Sequence, residues 1–204
     1  LNREAPHGSP LGILQRVLVN DRSLHEETEF KDDKRRIMQT NFLEELVAEW
    51  LEYSSYIVKR NERVGLREAG GYEGELDVVA FNPKTKHLVH VETSTDADSW
   101  ADREKRFAKK FLSGEKYIKT LFEGMAVPDE IEKKAIFAFG SDKNHKAIGG
   151  GQVVLAEDFI LEIVRVLKQI PFLSRAVPEK YPILRVLQMI TEHRVKVVKE
   201  LSQK

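Results

Sequence analysis

Apolar residues recur at helical spacing through NFLEELVAEWLEYSS, residues 41–55, where Leu43, Leu46, Val47, Trp50 and Leu51 form one stripe. The spacing predicts a helix that builds from about Asp32, with Thr40 or Asn41 near the start of its best part. Tyr56-Ile57-Val58 reads as a first strand, and the Gly-rich connection Gly70–Gly74 follows. Two β-prone runs come next, Leu76 with Val78–Phe81, then Leu88, Val89 and Val91. Asn82-Pro83-Lys84-Thr85-Lys86 between them is turn chemistry, so the pair reads as a β-hairpin. Trp100, Phe107 and Phe111 mark the buried stripe of a helix from about Asp98 to Phe122, capped by Asp96 or Asp98 and interrupted near Gly114. Ala135–Phe139 suits a buried strand, Gln152–Leu155 gives another, and the amphipathic Ala156–Ile170 is stopped by Pro171. A last helix runs from about Pro182 to Leu201, while residues 11–30 fit either a short helix or a strand followed by an exposed acidic stretch.

This order predicts an α/β fold of three layers, a central mixed sheet flanked by helices. The hairpin supplies its antiparallel part and the later crossover helix its parallel part. Residues 1–30 are then an N-terminal extension, 31–170 the α/β domain, and 171–204 a C-terminal helical extension packing on the domain or on a partner. Its stripe of Ile183, Leu187, Ile190, Val197 and Leu201 would also suit a homodimer.

The hairpin carries an acid on each arm, Asp77 and Glu92. Antiparallel counting from Phe81 and His87 sets Asp77 opposite Val91 or Glu92, so the two carboxylates lie side by side. Period-two alternation puts His90, Glu92 and Ser94 on one face, and Val89, Val91 and Thr93 on the other. A carboxylate inside an apolar strand is costly unless something pairs with it, and a metal ion is a common partner. A solvated edge hairpin with ordinary charges is the plainer alternative, which the apolar neighbours of both acids disfavour.

Composition narrows the chemistry. At 204 residues, 41% hydrophobic and 32% charged, the chain describes a globular protein with a sizeable core. No apolar run approaches a membrane span and no secretory signal is visible, so no membrane partner and a cytoplasmic location are expected. Because the sequence starts at Leu1 rather than Met, Leu1 to about Pro10 are expected to be either a fragment end or an added remnant. With no cysteine, thiolate metal sites and disulfides are excluded. Net charge is zero, so nucleic acid would need a local basic face, for which Arg103–Lys119 is the best stretch. No histidine pair has metal-ligand spacing; His90 can touch the site of Glu92 or simply pack. Gly149-Gly150-Gly151 lacks the residues of a phosphate-binding loop and reads as a flexible loop. With Lys143, His145 and Lys146 before it, that loop can face phosphates or be a mobile surface turn.

The succession helix, strand, strand with Asp, strand with Glu, helix, strand resembles the PD-(D/E)xK, or restriction-endonuclease-like, nuclease superfamily. ELD at Glu75–Asp77 and ETS at Glu92–Ser94, preceded by the helix with Glu44 and Glu45, carry the resemblance across about Asn41–Gln169. It implies a restriction-endonuclease-like core and a metal-dependent nuclease hydrolysing phosphodiester bonds in nucleic acid, DNA before RNA and endonuclease before exonuclease, serving restriction, defence or repair. The cofactor implied is Mg²⁺, with Mn²⁺ as substitute, held by Asp77 and Glu92 with Glu44 or Glu45. Glu44 borders the core-facing stripe and Glu45 points further round; both can equally be solvent-facing.

The family's lysine position is Ser94, which can orient water but brings no charge. The cation is then expected from the next helix. Arg103, one turn before Phe107, is the first candidate, beside Arg106 and Lys110 on the same side. Arg106, Lys109, Lys110, Lys143 and Lys146 are the expected nucleic-acid contacts, unless they are ordinary solvated charges. The alternative function is a catalytically weak or inactive nuclease-like module that binds nucleic acid or a protein partner.

Overall fold

The computed structural model describes residues 41–203. The N-terminal extension, the ambiguous segment 11–30 and the helix start at 32–40 lie outside the described residues. Helix α1 spans Phe42–Tyr53, and three strands follow, β1 at Ile57–Leu66, β2 at Tyr72–Asn82 and β3 at His87–Ser94. Helix α2, Trp100–Leu121, leads to β4 at Glu132–Phe137, β5 at Ala147–Ile148 and β6 at Gly151–Leu155. Helices α3, Ala156–Leu167, α4, Pro182–Glu192, and α5, Arg194–Leu201, complete the chain. Among the described residues no helix is long and apolar enough to cross a membrane.

The six strands form one mixed sheet in the order β1-β2-β3-β4-β6-β5. β1, β2 and β3 are antiparallel, β3, β4 and β6 parallel, and β5 returns antiparallel to β6. The alternation of β3 and β4 divides the core between two faces. Val89, Val91 and Ile136 join Leu43, Leu46, Val47, Phe159, Ile163 and Leu184 on the side of α1, α3 and α4. On the α2 side Leu88, Val79 and Phe81 pack with Ile118 and Phe122, while Ala135 and Phe137 pack with Phe107 and Phe111. Of the β3 side chains on that side, His90, Glu92 and Ser94 are polar and buried, beside these two apolar clusters.

Several expected boundaries shift. β1 runs on to Leu66, because its polar middle, KRNERV, is a half-exposed strand at the sheet edge. α2 is capped by Ser99, whose Oγ accepts from Asp102 N–H at 3.2 Å, since Asp96 is engaged by Arg106. It continues unbroken through Gly114. The Gly149 loop, expected to be flexible, is the tight turn joining β5 to β6, its N–H donating to Glu104 at 3.0 Å. A Cβ on Gly149 would stand 2.4 Å from Ala108 N, so the turn is seated against α2. The last helix is two, parted at His193.

Residues 171–201 are joined to the domain by polar anchors as well as by Val177, Tyr181 and Leu184. Gln188 is fully buried, accepting from Val177 N–H at 2.7 Å and donating to Ile170 and Arg175 carbonyls. Glu49, buried on α1, accepts from the Ile183 and Leu184 N–H groups, capping α4 from another element. Glu49→Ala is expected to lower stability by about 1–2 kcal/mol and Glu49→Gln by less, read in a denaturant titration. Equal stability of all three proteins would show that α4 needs no such cap.

Candidate active site

The ladder between β2 and β3 ends at Val78↔Val91. Beyond it the two acids replace the missing backbone bonds. Thr93 N–H donates to Asp77 Oδ2 at 2.8 Å, and Asp77 N–H donates to Glu92 Oε1 at 3.3 Å. Each carboxylate thus holds the other strand's backbone where the strands part. The β2 alternation slips at the same place, since Leu76 packs in the cluster of Val79 and Phe81. Facing Asp77 on β1, Asn61 takes φ +51°, a conformation asparagine tolerates.

Lys110 reaches into this fork from α2. Its Nζ donates to Asp77 Oδ1 at 2.5 Å and to Glu92 Oε2 by a shorter contact. His90 Nε2 lies 2.6 Å from Glu92 Oε1, and the ring is fully buried. Burial pushes the imidazole down to about 3, so the ring is neutral near pH 7 and Nε2–H donates to Glu92. Its Nδ1 has no hydrogen-bond partner and faces Gly114, where a Cβ would be 2.3 Å away.

Asn41 brings in the start of α1. Its Oδ1 caps the helix by accepting from Leu43 and Glu44 N–H, and its Nδ2 donates to Glu44 Oε1 at 2.6 Å and Thr93 Oγ1 at 3.2 Å. Glu44 is close enough to Asp77, Lys110 and Glu92 to feel their charges, and burial followed by Asp77 raises it to about 7. Burial, then Glu92, raises Asp77 to about 6 despite Lys110. Burial likewise raises Glu92, with Lys110 pulling it back. Burial works against the Lys110 charge, but Glu92 and Asp77 outweigh it and hold the ammonium above the usual lysine range. Three acids share one cation, and the shortage of positive charge helps keep them reluctant to ionise.

The remaining expected residues sit elsewhere. Glu45 is half-exposed and turned toward Arg60, 3.8 Å away. Ser94 is buried and its Oγ accepts from Arg106 at 3.1 Å. Arg106 is bound to Asp96 at 2.6 Å and Asp98 at 2.7 Å. Arg103 is buried, its guanidinium over the Phe137 and Trp100 rings and donating to the Asp96 carbonyl at 2.6 Å. The ammonium between the acids is therefore that of Lys110. Lys109 is exposed on the outer side of α2, and Lys143 and Lys146 are exposed before β5, with Lys146 paired to Asp142.

Asn41, Thr93 and Gly114 were not singled out as site residues in the sequence. Asn41 carried one signal, its place at a helix start; Thr93 gave none, because its contribution is mainly a backbone N–H. Among the described residues no three Asp, Glu or His side chains stand close enough to enclose a metal ion alone. No protein-family model matches the chain, and no match was found among curated proteins.

Proposed function

We propose that this chain is a metal-dependent nuclease of the PD-(D/E)xK type, cleaving phosphodiester bonds at the fork of β2 and β3. The observation that carries the reading is Lys110, whose ammonium from α2 meets both Asp77 and Glu92. It offers the cation that Ser94 does not. A restriction-endonuclease-like core agrees with the helix-first order and with antiparallel β1–β3 followed by parallel β4.

The donor set fits Mg²⁺ or Mn²⁺. Such ions take oxygen ligands, need only one or two carboxylates, and complete their shell with water and substrate phosphate. Asp77 and Glu92 would be those ligands, with Glu44 acting through water. An acid cluster one cation short gains from an added positive charge, which favours a cation over a second neutral partner. Bound there, the ion would lower the pKa of a water and neutralise charge at the phosphate. The chain's own groups do the rest. Thr93 N–H and Lys110 fix Asp77, His90 and Asp77 N–H fix Glu92, and Asn41 orients Glu44. Lys110, on a flexible stem with three donors, can keep one carboxylate and hold water or phosphate with another N–H.

The same contact favours a second reading. A lysine bridging both acids is also what an inactive module would use to neutralise relic carboxylates, leaving nucleic-acid or partner binding as the function. A cleavage assay on plasmid, single-stranded DNA and RNA with Mg²⁺, Mn²⁺ or EDTA separates the two. The wild type is expected to cut at least one substrate, only with metal. Lys110→Met is expected to bind Mn²⁺ more tightly yet cut at least about a hundredfold more slowly at saturating Mn²⁺. No metal-dependent cutting of any substrate would leave the binding module.

A further inference from the structure

An open groove lies beside the acid site, between α2 and the connection of β1 to β2. Arg67, Lys105, Lys109, Leu112, Ser113 and Lys116 line it. Lys105, Lys109, Leu112 and Lys116 recur at spacings of four, three and four, and so share one face of α2. The stripe covers about 16 Å of helix, room for several consecutive phosphates. Glu73 is the one acid of the lining and is paired with Lys116 at 2.8 Å. Lys105 and Lys109 make no ion pair among the described residues, so two ammonium groups stand open.

The groove and the acid site use neighbouring faces of the same stretch of α2. Lys109 faces the groove while Lys110, the next residue, turns to Asp77 and Glu92. The groove wall is close-packed where Gly74 meets Ser113, at which a Cβ would stand 2.9 Å from Ser113 Oγ. Gly74 is three strand residues, about 10 Å, from Asp77. Leu112 is 64% exposed in the middle of the basic stripe, an apolar contact suited to a sugar or base rather than to a second row of phosphates.

From this we infer that the groove holds a single nucleic-acid strand, its phosphates on Lys105, Lys109 and Arg67 and one sugar or base on Leu112, and delivers it to Asp77 and Glu92. The inference builds on the nucleic-acid reading of the same site, but not on cleavage, since a strand can be held without being cut. Exposed lysines on a helix tolerate alanine, so Lys105→Ala with Lys109→Ala leaves the fold intact.

Fluorescence anisotropy with a labelled single-stranded oligonucleotide, in EDTA across a salt series, tests it. The double variant is expected to bind at least about fivefold more weakly and to lose about 1.4 from the slope of log affinity against log salt. Lys196→Ala with Lys199→Ala, both exposed on α5, is expected to keep the wild-type slope. Leu112→Ala is expected to weaken binding with the slope unchanged, because no charge is removed. Wild type that does not bind the strand, a double variant with an unchanged slope, or tighter binding of duplex than of single strand would overturn the inference. If cleavage depends on Asp77 and Glu92 while the double variant binds as wild type, the groove alone is wrong. If the groove binds and nothing is cut, the nuclease reading alone is wrong.

Discussion

Asp77→Asn and Glu92→Gln will each lose metal-dependent cleavage by at least about a hundredfold, and Asp77→Asn will also flatten the pH dependence of stability. The first result follows from the proposed ligand set. Each variant keeps an oxygen to accept the backbone N–H of the opposite strand but removes one of the two charges available to a divalent ion. The second follows from linkage. Asp77 titrates near 6 in the fold against 3.8 as the ordinary value, so the folded chain holds this proton more tightly. Its contribution to stability is full below 3.8 and is lost as pH rises through 6. Ionised at pH 7, it disfavours the fold by up to about 3 kcal/mol, a cost that a purely structural residue has no reason to carry. Denaturant titrations in EDTA at pH 4.5 and pH 7.5 check this. The wild type should gain stability relative to Asp77→Asn as pH falls. A difference that moves the other way, or cutting at the wild-type rate by either variant, would remove Asp77 and Glu92 from the site.

The hairpin that bears these acids was the most legible part of the chain, because its two signals are local. Val78–Phe81 and Leu88–Val91 are β-prone, and Asn82 builds the turn they need, its Oδ1 accepting from Lys84 and Thr85 N–H. β1 was legible only at Ile57-Val58. An edge strand buries little of its surface, so Lys59–Arg63 shows no apolar alternation, and its partner β2 holds it in place. β5 has two residues, too few for any periodicity. The break between α4 and α5 falls at His193 without a glycine or proline to announce it.

In the site, the cost of an acid among apolar residues exposed Asp77 and Glu92, and the stripe of α1 pointed to Glu44 before Glu45. The cation was less legible. Arg103 and Lys110 stand four residues before and three after Phe107, so both border the buried face of α2, and spacing does not separate them. Tertiary surroundings do. Near Arg103 the Trp100 and Phe137 rings and the Asp96 carbonyl satisfy a planar guanidinium. At Lys110 the parted strands present two carboxylates to one ammonium. No one-dimensional pattern encodes where β2 and β3 part.

Gly114→Ala will destabilise the protein by about 2 kcal/mol and slow cleavage as well, although glycine is a poor residue for the middle of a helix. On helix propensity alone, alanine would be worth about 1 kcal/mol in its favour. Packing reverses the sign. The new Cβ would fall 2.3 Å from His90 Nδ1 and 2.5 Å from Cε1, distances that demand movement. The ring has little room to give, being fully buried, edge-on to Phe111 at 5.1 Å between ring centres, and bonded to Glu92. Whatever displaces the ring also displaces the carboxylate it holds. His90→Ala should remove the obstacle, so that adding Gly114→Ala to it costs little or stabilises. The coupling across this double-mutant cycle is expected to exceed about 1 kcal/mol in denaturant titrations. Additive effects would show that the glycine is unrelated to His90. A destabilised Gly114→Ala that cuts at the wild-type rate when folded would show that the ring's position does not govern Glu92.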